Sequence, residues 1–407
     1  MLIVQKFGGT SVADMDRIRN VATKVQRELG LGNQVVVVVS AMAGVTNQLV
    51  EYVRDASTLQ TEAAWAEYDQ VVSTGELVTS GLLALVLQEQ GIDAESFSGW
   101  QIPIQTSDAH GKARIIDIKP DMLRGVLAKG KVAVIAGFQG INEHGRKTTL
   151  GRGGSDTSAV AIAASLNADR CDIYTDVDGV YTTDPRIVPE ANKLHQIAYE
   201  EMLEMASLGA KVLQTRSVEV AMNHRVKVQV RSSFSEEPGT CLVDEEELVE
   251  QQNVTGIAYS RDEARVSITA VENVPGMSAK LFAPLAEANV NVDMIVQNVT
   301  EEGGATDITF TVPKVDLDRV VAIVEGLKSE LKFESVHTDR NVAKVSAIGV
   351  GMRSHSGVAG TMFTALADKG INILVITTSE IKVSVLVEED YFELAIRALH
   401  TAFGLDG

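Results

Sequence analysis

The sequence predicts an α/β protein in which a mainly parallel sheet is sandwiched by helices, followed by two small α+β modules. Three observations predict it. Apolar strand-like runs alternate with segments of helical period over about the first 240 of the 407 residues, the pattern of repeated strand–helix crossovers. The run Val35–Val39 is apolar on both faces, as in a strand buried within a parallel sheet. Beyond residue 260 the chain repeats itself. ARVSITAV at 264–271 is echoed by AKVSAIGV at 343–350, and LFAPLAEANVNV at 281–292 by MFTALADKGINI at 362–373. The matches include a glycine turn (Gly276, Gly357) and the pair Asn291 and Asn372, so they extend past core residues.

Each element follows in order. A short apolar strand is expected from Leu2. Residues 14–29 place Ile18, Val21, Val25 and Leu29 on one helical face, and QVVVVVS supplies the next strand. STGELVTSGLLALVL at 73–87 reads as a strongly apolar helix. KVAVIAGF at 131–138, SAVAIAASL at 158–166 and CDIYTDV at 171–177 continue the alternation. DEEELVEQQN at 244–253 is acidic and polar, a connector or short helix. Each repeat copy then reads strand, glycine turn, helix, strand, and two such units pack together because each has a sheet face to cover. The expected division is a catalytic-sized domain over 1–240, a connector over 241–263, and modules over 264–336 and 337–407.

Composition narrows the function. The net charge of −19 excludes a general nucleic-acid binder, which needs a basic surface, and opposes binding to anionic membranes. A local basic pocket for a small anion remains open. The two cysteines, Cys171 and Cys241, lack metal-type spacing, so a reducing compartment is expected, with both as small buried residues. No leader is expected ahead of the first strand, and the valine run is too short to span a bilayer. The expectation is a cytoplasmic protein.

Five stretches carry chemistry. In KFGGTS, Lys6 precedes Gly8 and Gly9. A glycine pair between strand and helix exposes backbone N–H groups, the helix start adds partial positive charge, and the lysine adds a full one. That suits a phosphate; it equally suits a βα turn with a surface lysine. Neither G-x-x-x-x-G-K-[ST] nor a strand-to-helix G-x-G-x-x-G occurs, which excludes the standard phosphate-loop and dinucleotide readings. SAMAGVTNQL at 40–49 sits at a strand's C-terminal end, where ligands of parallel sheets gather. There Ser40, Thr46 and Asn47 offer hydrogen bonds, or merely cap the next helix. Glu76 stands in the first turn of an apolar helix, favouring the dipole or pairing with a substrate ammonium. TTLGRGGSDTSA places Arg152 among Gly151, Gly153 and Gly154, ahead of Ser155 and Asp156. Arginine is the natural fork for a carboxylate, and a plain helix cap needs neither it nor the glycines. YTDVDGVYTTDPR at 174–186 is an acidic loop after a strand, without the spacing of a calcium loop. Lys211 is a lone lysine in LGAKVLQTRS.

In this order and spacing, KFGGTSV, SAMAGVTN, TTLGRGGSDTSA and DVDGVYTTDPR resemble the motifs of the aspartate kinases of the amino-acid kinase family, and the doubled module resembles their paired ACT domains. The resemblance covers essentially the whole chain. It implies an amino-acid-kinase-type sheet and transfer of the γ-phosphoryl of ATP to the side-chain carboxylate of L-aspartate. The product would be 4-phospho-L-aspartate, the first step toward lysine, threonine, methionine and isoleucine. It implies Lys6, Asp156 and Lys211 as catalytic residues, and Thr46, Glu76, Arg152, Gly153, Gly154 and Ser155 around aspartate. ATP would lie along Lys6, Gly8, Gly9, Ser40, Thr175, Asp176, Tyr181, Asp184, Arg186 and Lys211, with Mg2+ carried by the nucleotide. It further implies feedback inhibition by lysine, threonine or both. The effector positions would be Asn273, Gly276, Ser278, Asp293, Gln297, Asn298, Asn372, Ile373, Ser379 and Glu380. A homo-oligomer formed through the ACT modules, with or without a separate regulatory chain, is expected.

Three rival readings are weighed against it. Another kinase of the same fold would lack the GRGGSDTSA wording and the doubled module. A silent amino-acid sensor would have lost Lys6, Arg152 or Asp156, and all three are present. A bifunctional kinase–dehydrogenase is not expected, because the chain ends at Gly407 directly after the second module.

Overall fold

The computed structural model describes residues 1–209, 212–248, 253–299, 304–353 and 357–406. The chain forms two compact units: one of residues 1–180, 193–207 and 211–249, the other of 181–192, 208–210 and 250–407. A cut at about residue 240 is therefore crossed by the segment 181–192, which leaves the first unit and folds into the second.

The first unit is built on an eight-stranded sheet ordered Gln196–Ala198, Thr240–Val243, Val228–Ser232, Arg170–Thr175, Leu2–Phe7, Gln34–Val39, Val132–Ala136 and Ala94–Phe97. Every neighbouring pair is parallel except Val228–Ser232 with Thr240–Val243. The central strands are buried on both faces, which explains their unbroken β-branched runs. Helix Met15–Gly30 buries Ile18, Val21 and Val25 against this sheet together with Leu83 and Leu87 of helix Thr74–Glu89. A second, four-stranded sheet (Ile115–Ile118, Ile104–Thr106, Gln139–Ile141, Lys147–Thr149) has strands of three or four residues. Such short strands show no readable alternation in sequence. The helical stretch Glu62–Glu89 is long and apolar enough to cross a membrane by length and composition, a feature the valine run did not reveal; half of its most apolar window is buried in the fold.

The second unit carries the repeat on a six-stranded antiparallel sheet ordered Asp293–Val299, Ala305–Val312, Gly256–Glu272, Ser335–Ile348, Lys382–Glu388 and Val375–Thr378. Its two long central strands pair with each other, so one ladder joins both modules. Each module also has a second helix that the strand–helix–strand reading omitted, Leu317–Gly326 in the first and Phe392–Ala402 in the second. They bury Leu317, Val320 and Val324, and Phe392, Ile396 and Leu399. The apolar periodicity of those stretches was readable. Of the acidic stretch 244–253, Glu245–Glu247 form a single 3-10 turn, and 249–252 lie outside the described residues.

Candidate active site

The site forms at the C-terminal edge of three adjacent parallel strands. Phe7 is in register with Val39 on one side and Tyr174 on the other. Gly8, Ser40 and Thr175 therefore leave the sheet side by side, where doubly wound sheets hold ligands. Tyr174 stacks on Phe7 at 4.6 Å between ring centroids.

Lys6, near the end of the central strand, is the focus of charge. Its Nζ lies 2.5 Å from Asp156 Oδ1, and both residues are more than nine-tenths buried, at 8 % and 7 % exposure. At that burial a charge interacts far more strongly than at a surface. Asp156 occupies the first turn of helix Gly154–Leu166, whose N-cap is Gly153 in the left-handed region (φ 68°). Asp156 is therefore not the cap; its carboxylate faces the lysine.

Two expectations about the glycine pair need correction. The Gly8 N–H already donates to the Tyr174 carbonyl at 3.2 Å, so it is spent within the fold. A Cβ at Gly8 would lie 3.3 Å from Lys6 Nζ, which makes its contribution one of space beside the lysine. The residues after the pair form a 3-10 turn, Gly9–Val12, and the α-helix starts only at Met15, its cap being Asp14, which accepts from the Arg17 N–H. The positive helix end expected to face an anion is thus satisfied by the chain's own carboxylate.

Glu76 reaches the same edge from helix Thr74–Glu89. Its Oε1 accepts the Ala41 N–H at 3.1 Å, while Oε2 is buried without a partner. Burial pushes its pKa up to about 7, against the Ala41 hydrogen bond, which lowers it. An ammonium group brought to the vacant oxygen would restore the carboxylate. Ionisation of Glu76 is lost as pH falls through 7, so the KM for an ammonium-bearing substrate is expected to rise about fivefold between pH 7 and 6. Glu76→Gln should flatten that profile and leave KM high throughout; a profile unchanged in the variant would separate Glu76 from the ammonium.

Thr46 lies in the first turn of helix Val45–Ala56, which is capped by Gly44 in the left-handed region (φ 83°), so neither Thr46 nor Asn47 is the cap. The glycine loop is packed to its limit: a Cβ at Gly153 would fall 1.6 Å from Gln214 Cγ, and one at Gly154 2.8 Å from Leu150 Cβ. Ser155 is buried against Gly137. Arg152 projects from this loop, exposed, with no ion pair among the described residues; it is close enough to Tyr68 to act on it electrostatically. Thr175 donates to Asp176 at 3.0 Å. Sequence reasoning singled out the stretches holding Ala41 and Tyr174 but not their contacts, the Ala41 amide on Glu76 and the Tyr174 ring on Phe7, and it missed Ser233, whose hydroxyl meets that of Ser11 at 2.5 Å. Each acts through a contact far along the chain and leaves no local signal.

The remaining assignments separate. Tyr181, Asp184 and Arg186 belong to the second unit. Asp184 accepts from the Arg186 guanidinium (Nη2–Oδ2 2.7 Å) and from the Tyr259 hydroxyl at 3.0 Å, and the guanidinium holds its carboxyl below the usual range. Ile187 and Val188 of the same segment are buried in the core of the second module. Thr182 pairs with His400 Nε2 at 2.8 Å, and His400 Nδ1 with Asp406 at 2.7 Å. Lys211 lies outside the described residues.

The second unit contains two cavities at matching turns. One, of about 500 Å³, is lined by Asn273, Gly276, Ser278 and Gln297 among others; Ser278 donates to Gln297 at 3.3 Å. The other, of about 490 Å³, is lined by Arg353, Gly357, Ser379 and Glu380 among others. Asp293, Asn298, Asn372 and Ile373 do not line either. Asp293 is instead held 2.6 Å from buried Lys344, and the Asn298 carbonyl accepts from Thr306.

Comparison with known proteins agrees with this architecture. Residues 1–232 match the amino acid kinase family, and 264–331 and 345–403 each match the ACT domain. An aspartate kinase of Pseudomonas putida is 53 % identical over 406 residues, covering 100 % of this chain and 98 % of that one. Two solved structures of aspartokinase III from E. coli are 28 % identical and cover 99 % of each chain. The R-state complex with aspartate and ADP superposes with a TM-score of 0.78, the T-state complex with lysine and aspartate with 0.76.

Proposed function

This chain belongs to the aspartate kinases of the amino acid kinase family, and we propose that it transfers the γ-phosphoryl of ATP to the side-chain carboxylate of L-aspartate, giving 4-phospho-L-aspartate. The step would open the route to lysine, threonine, methionine and isoleucine, under feedback by lysine, threonine or both through the ACT modules. The observation that supports it most is the buried Lys6–Asp156 pair at a sheet edge that Glu76 reaches from helix Thr74–Glu89.

The division of labour follows from the chemistry. The acceptor is already a carboxylate, so no general base is needed, and catalysis reduces to positioning and charge stabilisation. Lys6 neutralises charge on the transferring phosphoryl group, and Asp156 holds the ammonium in place. Arg152 takes a carboxylate of aspartate, while Glu76 takes its ammonium. Holding both reactants in line contributes about 7–11 kcal/mol in well-oriented systems. ATP would bring its own magnesium, whose charge would offset that of the phosphates. Asp156 is already paired with Lys6, which fits a metal carried by the nucleotide, and the ion would neutralise phosphate charge.

The test is ATP-dependent aspartyl-hydroxamate formation with aspartate, glutamate and acetylglutamate as competing acceptors, titrated with lysine and threonine separately and jointly. Preference for glutamate or acetylglutamate would overturn the acceptor assignment. For the regulatory half, Gln297→Ala is expected to relieve inhibition while leaving uninhibited turnover nearly intact, since allosteric coupling, typically about 1–3 kcal/mol, acts through the effector and not the reaction. Inhibition curves that coincide with those of the parent protein would remove Gln297 from the effector site.

A further inference from the structure

Asp69, on helix Glu62–Val72, is fully buried. Its carboxylate gathers donors from two segments distant in sequence. One is the Thr149 hydroxyl, in a very short contact. The others are His110 Nδ1 at 2.6 Å and the Gly111 N–H at 3.0 Å. Thr149 ends the strand that leads into Leu150, Gly151 and Arg152. The two segments are also tied to each other, through Ala113 N–H to the Thr149 carbonyl at 2.9 Å. Arg216 closes the other side, donating to the carbonyls of Leu150 at 2.6 Å and Ala113 at 2.9 Å. Space is equally constrained: Gly111 has φ 75°, and a Cβ there would lie 2.8 Å from the Trp65 ring on the helix that carries Asp69.

A fully buried carboxylate is retained at a desolvation cost unless its hydrogen bonds are complete. Here they are made by the end of the strand that leads to Arg152 and by the turn at His110 and Gly111, which is tied to that strand end. We infer that Asp69, acting through Thr149 and Gly111, is the positioning residue that fixes the Arg152 loop in its carboxylate-binding geometry. Among the described residues Arg152 has no ion-pair partner, so the accuracy of its fork depends on the backbone beneath it. Displacing a substrate-holding group by about 1 Å costs up to about 10²-fold in rate. The inference rests on the assignment of Arg152 to aspartate made above.

The test uses the full-length protein with Asp69→Asn, Thr149→Val and Thr149→Ser. Asp69→Asn keeps shape and removes charge; Thr149→Val keeps shape and removes the donor. Both are expected to raise the KM for aspartate about 10- to 100-fold while leaving the KM for ATP within about twofold, and Thr149→Ser should restore the parent value. The double variant should fall well short of the product of the single effects, as for residues in one network. Amide hydrogen exchange over residues 107–113 should accelerate at least about tenfold in Asp69→Asn, as the Gly111 N–H loses its acceptor. Equal rises in both KM values, or a lowered melting temperature with unchanged KM for aspartate, would overturn the inference. If Asp69→Asn does not fold, Thr149→Val and its serine rescue decide alone. Should the parent protein fail to phosphorylate aspartate, the activity reading falls, while the exchange measurement still judges the clamp.

Discussion

Arg152→Ala is expected to raise the KM for aspartate by about 10²- to 10⁴-fold and to leave the KM for ATP nearly unchanged. Two charge-assisted hydrogen bonds from one guanidinium fork are worth about 1.5–3 kcal/mol each, and each 1.4 kcal/mol is a factor of ten. The structure gives no substitute: among the described residues Arg152 is the exposed cation on a loop whose neighbours are glycines packed against Gln214 and Leu150. Arg152→Lys should recover little, because an ammonium offers no planar fork. Steady-state kinetics with each substrate varied in turn checks this, and equal losses for ATP and aspartate would count against the assignment.

Lys6→Ala is expected to lower kcat by about 10³-fold, the scale of removing a preorganised charge from a developing transition state. The burial of Lys6 and Asp156 makes a second consequence unavoidable. Truncating the lysine strands a buried carboxylate, which costs about 3–5 kcal/mol when one partner of a buried pair is removed. Lys6→Met with Asp156→Asn removes both charges at similar volume and should regain most of the lost thermal stability without regaining turnover. Recovery of activity in that double variant would show that Lys6 serves the fold and not the reaction.

Much of the fold was legible because the relevant signals are local. The valine run, the helical face of Ile18, Val21 and Val25, and the repeated strand–glycine–helix blocks each announce themselves within about 15 residues. The strand ends were legible too, and the structure brings the expected residues Lys6, Ser40 and Thr175 to one edge of the sheet. What escaped depends on contacts formed across the chain. The Asp69 clamp joins residues 41 and 80 positions apart, and an aspartate on an amphipathic helix reads as a solvated residue until its burial is seen. The Gly8 amide was assigned to a phosphate because its acceptor, the Tyr174 carbonyl, lies on another strand. The stretch 174–186 read as an acidic loop of the first domain, whereas 181–192 belongs to the second unit, and Ile187 and Val188 just beyond the loop are apolar residues without a local helix or strand to serve. Their burial in the second module supplies the reason.

The central claim is that one buried cation serves the phosphoryl group and one exposed fork serves the amino acid. Single-turnover transfer of γ-phosphoryl from ATP to aspartate, at saturating aspartate, separates these roles. The expected result is a chemical step slowed about 10³-fold in Lys6→Ala and restored to within about tenfold of the parent rate in Arg152→Ala. A parent-like transfer rate in Lys6→Ala, or a step that stays equally slow in Arg152→Ala however much aspartate is supplied, would contradict it.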